Sequence, residues 1–231
     1  MARTSVGVSG KDDRARVKAA LAANVVIVAL VAVAVVLMVF DIGGGALTSG
    51  GVRAFKFYTV DSNVLEGIAA LVSAVFCARS LRGGGEPPRW ANLLKLSATG
   101  AVTLTFLVVV FFLVPTTGFD LASMYSGGNF LMHLVVPVLA VATYAILEHP
   151  TFRTRRERLW CLVPTAAYEV FYGANALTHV QDGAVPAAYD WYRFLAAGPE
   201  SAIVVVPLIL AIAYLIVVAI DRLAAKAARA R

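Results

Sequence analysis

Apolar residues fall into six long runs, near positions 19–40, 57–78, 92–114, 129–147, 159–177 and 201–220. Each approaches the ~20 residues that a helix needs to cross a bilayer. Short segments rich in turn formers separate them: "DIGGGALTSGG", "RGGGEPPR", "VPTTGFD", "HPTFRTRRER" and "QDGAVPAAYDWYR". Gly and Pro at such places end helices, and none of these segments is large enough for a separate domain. The pattern predicts an all-α integral membrane protein with six transmembrane helices in one domain, residues 19–220. A basic segment, 1–18, precedes it and a basic tail, 221–231, follows it. No internal repeat is evident.

Composition agrees with that class. The chain is 60% hydrophobic and 15% charged, against roughly 25% charged in a soluble domain, and its mean hydropathy is +0.79. A net charge of +6 would suggest nucleic acid in a soluble chain. Here the basic residues gather in alternate segments instead. Arg3, Lys11, Arg14, Arg16 and Lys18 precede the first run, and Arg79, Arg82, Arg89 and Lys95 surround the second loop. Arg153, Arg155, Arg156 and Arg158 fill the fourth, and Arg222, Lys226, Arg229 and Arg231 the tail. The other three loops hold only Arg53, Lys56 and Arg193. Lys and Arg in short loops stay cytoplasmic, so both termini are predicted inside, in the cell membrane.

The first run is longer than the ~7–15 apolar residues of a signal peptide and is predicted to stay as a helix. "GKDDRARVKAAL" before it suits a helical lead-in on anionic headgroups. Cys77 and Cys161 fall near cytoplasmic helix ends, where free thiols are expected. The chain shows no zinc-type Cys/His cluster, phosphate-cradling glycine loop or basic-aromatic RNA pattern. No cofactor, metal or nucleic-acid partner is expected, and membrane lipids are the expected surroundings.

Polar residues inside the runs are the informative exceptions. At ~1.5 Å per residue, Glu66 lies roughly 13 Å below the outer end of the second run, His133 about 6 Å down the fourth and Glu169 about 12 Å down the fifth. Thr59, Asn63 and Glu66, spaced i, i+4, i+7, share one helix face, and Thr165, Glu169, Tyr172 and Asn175 or Ala176 form a similar stripe. A carboxylate facing lipid costs at least ~2.5–3.5 kcal/mol, so the stripes are predicted to face one another around a polar pocket open to the outer leaflet. No intramembrane Lys or Arg is expected to pair with Asp61, Glu66 or Glu169, so at least one glutamate should be protonated or held by hydrogen bonds. Asp61, about 200° around from Thr59, can reach headgroups or water.

These residues stand in stretches that resemble a known family. "KFYTVDSNVL", "NFLMHLVVPVLAVATYAILE", "PTAAYEVFYGANAL" and "DWYRFL" resemble the androgen-induced gene and ADTRP-like family, most closely its bacterial six-helix relatives. The resemblance covers most of the chain from the second run onward. Its characterised animal members are six-span hydrolases of fatty acid esters of hydroxy fatty acids, with an intramembrane threonine nucleophile and a histidine. The resemblance thus implies Thr59 as nucleophile and His133 as base. Two spacings differ by one residue: Thr59 stands four before Asn63 where the animal pattern has three, and His133 four before Pro137 where it has five.

A threonine hydroxyl attacks an ester only once a positioned base takes its proton, and a third group should orient that base. Glu66 or Glu169 could orient His133, and Asn63, Asn175 or Tyr172 could donate to an oxyanion. A lipid ester from the outer leaflet is the expected substrate. Plainer roles are open at each position. Thr59 could cap a helix, and His133 could join helices. Tyr189, Trp191 and Tyr192 suit an interfacial belt, Pro137 and Pro207 suit kinks, and His149 and His179 suit loop edges. The alternative functions are a proton- or cation-linked carrier using Glu66 and Glu169, with His133 relaying protons, and a structural membrane protein whose polar core locks its packing.

Overall fold

The apolar runs fold as helices. The computed structural model describes residues 11–118, 120–148 and 154–230, and among these every regular element is helical. They are α1 (Lys11–Val39), α2 (Tyr58–Leu81), α3 (Arg89–Thr116), α4 (Gly127–Glu148), α5 (Val163–Leu177) and α6 (Ala202–Arg229). All but α5 are long and apolar enough to cross a membrane. α1 already begins at Lys11, so the basic lead-in continues into the first run from there. α6 likewise carries the basic tail in helical form to Arg229.

The fifth run is divided. A short helix, Arg155–Trp160, ends in a turn at Cys161 and Leu162, and α5 itself has 15 residues. That is roughly 22 Å of helix, short of a ~30 Å hydrocarbon core. Pro164 accounts for the break. In the first turn of α5 its missing N–H leaves nothing unpaired, whereas inside a continuous helix its ring would clash with the preceding turn.

Cross-helix contacts fix the directions. Arg16 donates to the Leu147 carbonyl and Asn24 to Glu148, while at the other end Gly128 lies against Ala34 and Met38, so α1 and α4 are antiparallel. Ser62 meets Thr105 and Glu66 meets Thr99, so α2 and α3 are antiparallel as well. One end of the bundle therefore collects the segments after α1, α3 and α5; it is called the Thr59 end below. The opposite end carries the described basic residues other than Arg53, Lys56 and Arg193.

Close packing depends on small residues, as in helix pairs that lack a hydrophobic drive for association. A Cβ on Gly67 would lie 2.9 Å from Val31, on Gly100 2.9 Å from Val217, and on Gly128 2.9 Å from Met38. Outward faces stay apolar: Val170, Phe111, Ile203 and Val204 are all exposed. Cys77 and Cys161 are both buried.

Two prolines shape the helix interiors by widening turns. π-helical turns at Val109–Leu113 and Leu131–Val135 stand just before Pro115 and Pro137. The last N–H before each proline reaches back five residues, Val114 to Val109 and Val136 to Leu131. A proline ring crowds the carbonyl four residues earlier, which is Phe111 or His133, and the wider turn relieves that crowding. The second of these turns carries His133 itself.

At the basic end, Thr154 and Glu157 form a capping box on the short helix, and Glu157 also takes Arg89 in a two-point ion pair. That hydrogen bond to Arg89, helped by the Thr154 backbone and hydroxyl, holds the Glu157 carboxyl down at about 2. Arg158 reaches Asp221 at 2.8 Å, tying α6 to the same corner.

Candidate functional site

Thr59 and His133 meet. The Thr59 hydroxyl lies 3.1 Å from His133 Nε2, and both side chains are buried. Thr59 is the second residue of α2, whose N-cap is Phe57 with no side-chain cap bond, so Thr59 does not cap the helix. The other imidazole nitrogen, Nδ1, lies 2.9 Å from the Met124 carbonyl. A carbonyl only accepts, so Nδ1 carries the proton and Nε2 is left as the acceptor. The Thr59 hydroxyl then donates to Nε2, the arrangement in which a histidine can take its proton.

The orienting group is thus a backbone carbonyl and neither of the predicted glutamates. Met124 ends the short helix Leu121–Met124, whose N-cap Asp120 accepts the Ser123 N–H at 2.8 Å. The segment is pinned further where Ala46 donates to the Ser123 carbonyl and Asn129 donates to that of Ala46.

Glu66 leaves the pocket altogether. Its carboxylate takes Lys95 Nζ at 2.5 Å and the Thr99 hydroxyl at 3.3 Å, with both charged side chains wholly buried. This corrects two expectations: an intramembrane-depth lysine does pair with Glu66, and Glu66 does not face His133. Lys95 stands in the second turn of α3, and its flexible stem carries the ammonium inward along apolar surface. A separate link, Asn24 to Glu148 at 2.7 Å, lies toward the basic end.

The predicted oxyanion donors are each used elsewhere. Asn63 donates to the Thr59 and Met132 carbonyls at 2.8 and 3.2 Å, bracing α2 against α4 around the Thr59–His133 contact. The Tyr172 hydroxyl donates to Asp190. Asn175 is only half-buried and reaches the Tyr189 carbonyl, so Ala176 completes the buried stripe of Thr165, Glu169 and Tyr172. Glu169 alone keeps the predicted place: it is buried, lines the same cavity as Thr59, and its Oε2 has no hydrogen-bond partner among the described residues.

That cavity, about 30 Å³, has polar walls at Tyr58, Thr59, Glu169 and Tyr192 and apolar ones at Val108 and Leu113. Tyr58 and Thr165 bond across the α2–α5 seam at 2.7 Å. Asp61 sits half-buried in an adjoining groove between the same helices, beside Leu65 and Phe171.

Two residues escaped the sequence reading, Tyr192 and Asp190. Trp191 and Tyr192 are no interfacial belt; they fold inward and are buried. Tyr192 packs among Phe57, Tyr168, Tyr172 and Phe194. Its oxygen accepts the Tyr58 N–H at 2.8 Å and lies near the Tyr168 hydroxyl as well as Thr59. The start of α2 thus finds in a distant tyrosine the partner that its own N-cap does not supply. Asp190 secures the segment, accepting from Tyr172 and from the Leu195 N–H. Acidic and aromatic residues grouped in "YDWYRF" were the available signal. Tyr189 behaves differently and stacks on His179 at the loop edge. His149 lies outside the described residues.

No family model, curated protein or solved structure matches this chain. Function must therefore be read from the site. It presents a hydroxyl aligned on an imidazole acceptor, a phenol beside that hydroxyl, and a carboxyl with one oxygen unpaired among the described residues, on an otherwise largely apolar wall.

Proposed function

We propose that the chain is a membrane-embedded hydrolase of lipid esters, with Thr59 as nucleophile and His133 as general base. The observation that carries this is the Thr59 Oγ1–His133 Nε2 contact at 3.1 Å, with Nδ1 anchored on a backbone carbonyl. In the reaction, Thr59 Oγ attacks the ester carbonyl while its proton passes to Nε2. The protonated imidazole then returns that proton to the departing alcohol oxygen. A water enters, gives a proton to Nε2 and attacks the acyl-threonine; the bond to Thr59 Oγ then breaks, Nε2 returns the proton to that oxygen, and the acid is released. Tyr192 stands where its hydroxyl can donate to the carbonyl oxygen as charge develops on it. The resemblance to the androgen-induced gene and ADTRP-like family suggests an ester of the fatty acid–hydroxy fatty acid type.

We place the protein in the cell membrane with six crossings, the divided run 159–177 making the fifth. The sorting of basic residues to one end supports cytoplasmic termini, and the Thr59 end would then face the outer leaflet. A carrier working through Glu66 would need that carboxylate free for an ion, whereas Lys95 and Thr99 occupy it.

A fluorophosphonate probe with an alkyl tail tests the assignment on purified protein in detergent. Wild type should be labelled at Thr59, and Thr59→Ala and His133→Ala should not. Labelling that survives Thr59→Ala, or a wild type that never reacts, would remove the nucleophile from the proposal.

A further inference from the structure

The segment from Asp190 to Leu195 is a wall with two faces. Tyr192 and Phe194 line the Thr59 cavity, whereas Trp191 and Arg193 line a second cleft of about 650 Å³ on the other side. Phe57, two residues before Thr59, and Phe112, beside Leu113 of the first cavity, belong to this cleft as well. The two spaces are therefore neighbours across one thickness of chain.

The cleft is basic. Of the three described basic residues at this end, Lys56 and Arg193 line it, and no acidic residue does among the described residues. Neither forms an ion pair among the described residues. Asp190, the nearest acid in sequence to Arg193, is turned inward to Tyr172 and Leu195. Lys56 Nζ is held 4.9 Å above the Phe57 ring and 5.5 Å from that of Trp191, which fixes the ammonium without neutralising it. Arg193 has φ +60°, a conformation that side-chain-bearing residues rarely adopt. Such strain at a non-glycine residue marks a position held by its surroundings.

Two cations and aromatic walls, with no acid among the described lining residues, suit an anion carried on an apolar body. We propose that this cleft is an anion-binding subsite, in which Lys56 and Arg193 seat the carboxylate or phosphate headgroup of an amphiphile beside the Thr59 cavity. The assignment rests on the hydrolase proposal for the role of the bound molecule, and on the cleft alone for its charge.

Binding of tritiated palmitate to the full chain in nanodiscs tests it, with hexadecyl phosphate, methyl palmitate and inorganic phosphate as competitors. Palmitate and hexadecyl phosphate should bind about tenfold more tightly than the uncharged methyl ester. The double variant Lys56→Gln/Arg193→Gln should lose that preference. Arg53→Gln, at the same end but outside the cleft, should keep it. Equal competition by the methyl ester, or a preference that survives the double variant, would overturn the subsite. Inorganic phosphate displacing palmitate as well as hexadecyl phosphate does would show a small-ion site and overturn the amphiphile. Fluorophosphonate labelling on the same samples separates the two ideas. Lost labelling with a retained charge preference sinks the hydrolase and leaves the subsite, and the reverse result sinks the subsite alone.

Discussion

Two buried polar sites lie about two helical turns apart on α2, and they are built on opposite principles. At Glu66, every strong group is answered inside the protein: Lys95 and Thr99 take the carboxylate, and both charged side chains are sealed from solvent. At Thr59, groups are aligned beside open space. His133 is anchored by one nitrogen, Tyr192 stands beside the hydroxyl, and one oxygen of Glu169 goes unpaired at the edge of a cavity. A polar site that satisfies itself holds helices together, and one left partly unsatisfied next to open space is prepared for something else. Burial alone does not distinguish them, since Thr59, His133, Glu66 and Lys95 are all buried.

The sharpest way to break the comparison is to damage each site once. Thr59→Ala and His133→Ala should lower probe labelling by about 10²–10⁴-fold or more, with thermal unfolding in detergent changed by about 1 kcal/mol for Thr59→Ala, the worth of a single hydrogen bond, and by about 2–3 kcal/mol for His133→Ala, which loses two and leaves the Met124 carbonyl unpaired. Lys95→Met should do the reverse, costing about 3–5 kcal/mol because Glu66 is left buried without its cation. The double variant Glu66→Met/Lys95→Met should recover most of that loss. If it instead melts as low as Lys95→Met, the pair is more than a structural lock.

Tyr192→Phe sharpens the difference within the Thr59 site. It removes only a hydroxyl, keeps the aromatic packing, and should slow labelling about 10²-fold as an oxyanion donor would. A variant that labels at the wild-type rate would reduce Tyr192 to a partner for the start of α2. A smaller effect is expected of Gly128→Ala, whose Cβ would press on Met38 and the Ala34 carbonyl. Pushing α1 from α4 should cost about 1–3 kcal/mol of stability, read as a lower melting midpoint.

The smallest effect lies farthest from both sites. Glu157 is held at about 2 by Arg89 and Thr154, below its ordinary value of 4.5. A carboxyl depressed on folding stabilises fully above its unfolded value and loses that contribution as pH falls toward the folded one. Amide protection of the Arg155–Trp160 helix should thus hold at pH 5 and weaken from about 4.5 down to 2, and Glu157→Gln should remove that dependence. A helix whose protection is flat across this interval would show that the ion pair contributes nothing there.

What the sequence revealed and what it concealed divide along periodic and non-periodic structure. Thr59, Asn63, Glu66, Glu169 and Tyr172 were legible as inward-facing because helical spacing and the cost of exposing polar groups to lipid both constrain them. The meeting of Thr59 with His133 followed from depth, since each lies near the same end of its helix. Lys95 was hidden because a charge near a helix end counts toward topology, and four methylenes let its ammonium travel inward. Tyr192, Asp190 and the Met124 carbonyl were hidden for another reason. They lie between the long helices, where no period relates a residue's number to its direction. The divided fifth run was written in Pro164, but a proline in an apolar stretch reads equally as a kink.

The widened turn at Leu131–Val135 bears on how such chains should be compared. Each residue added to or removed from a helix turns everything beyond it by about 100°. A helix that already contains a loose turn can take up one such step locally. The number of residues between His133 and Pro137 is therefore a poor measure of kinship. The direction in which the imidazole points is a better one, and two chains could agree in that while differing in their count.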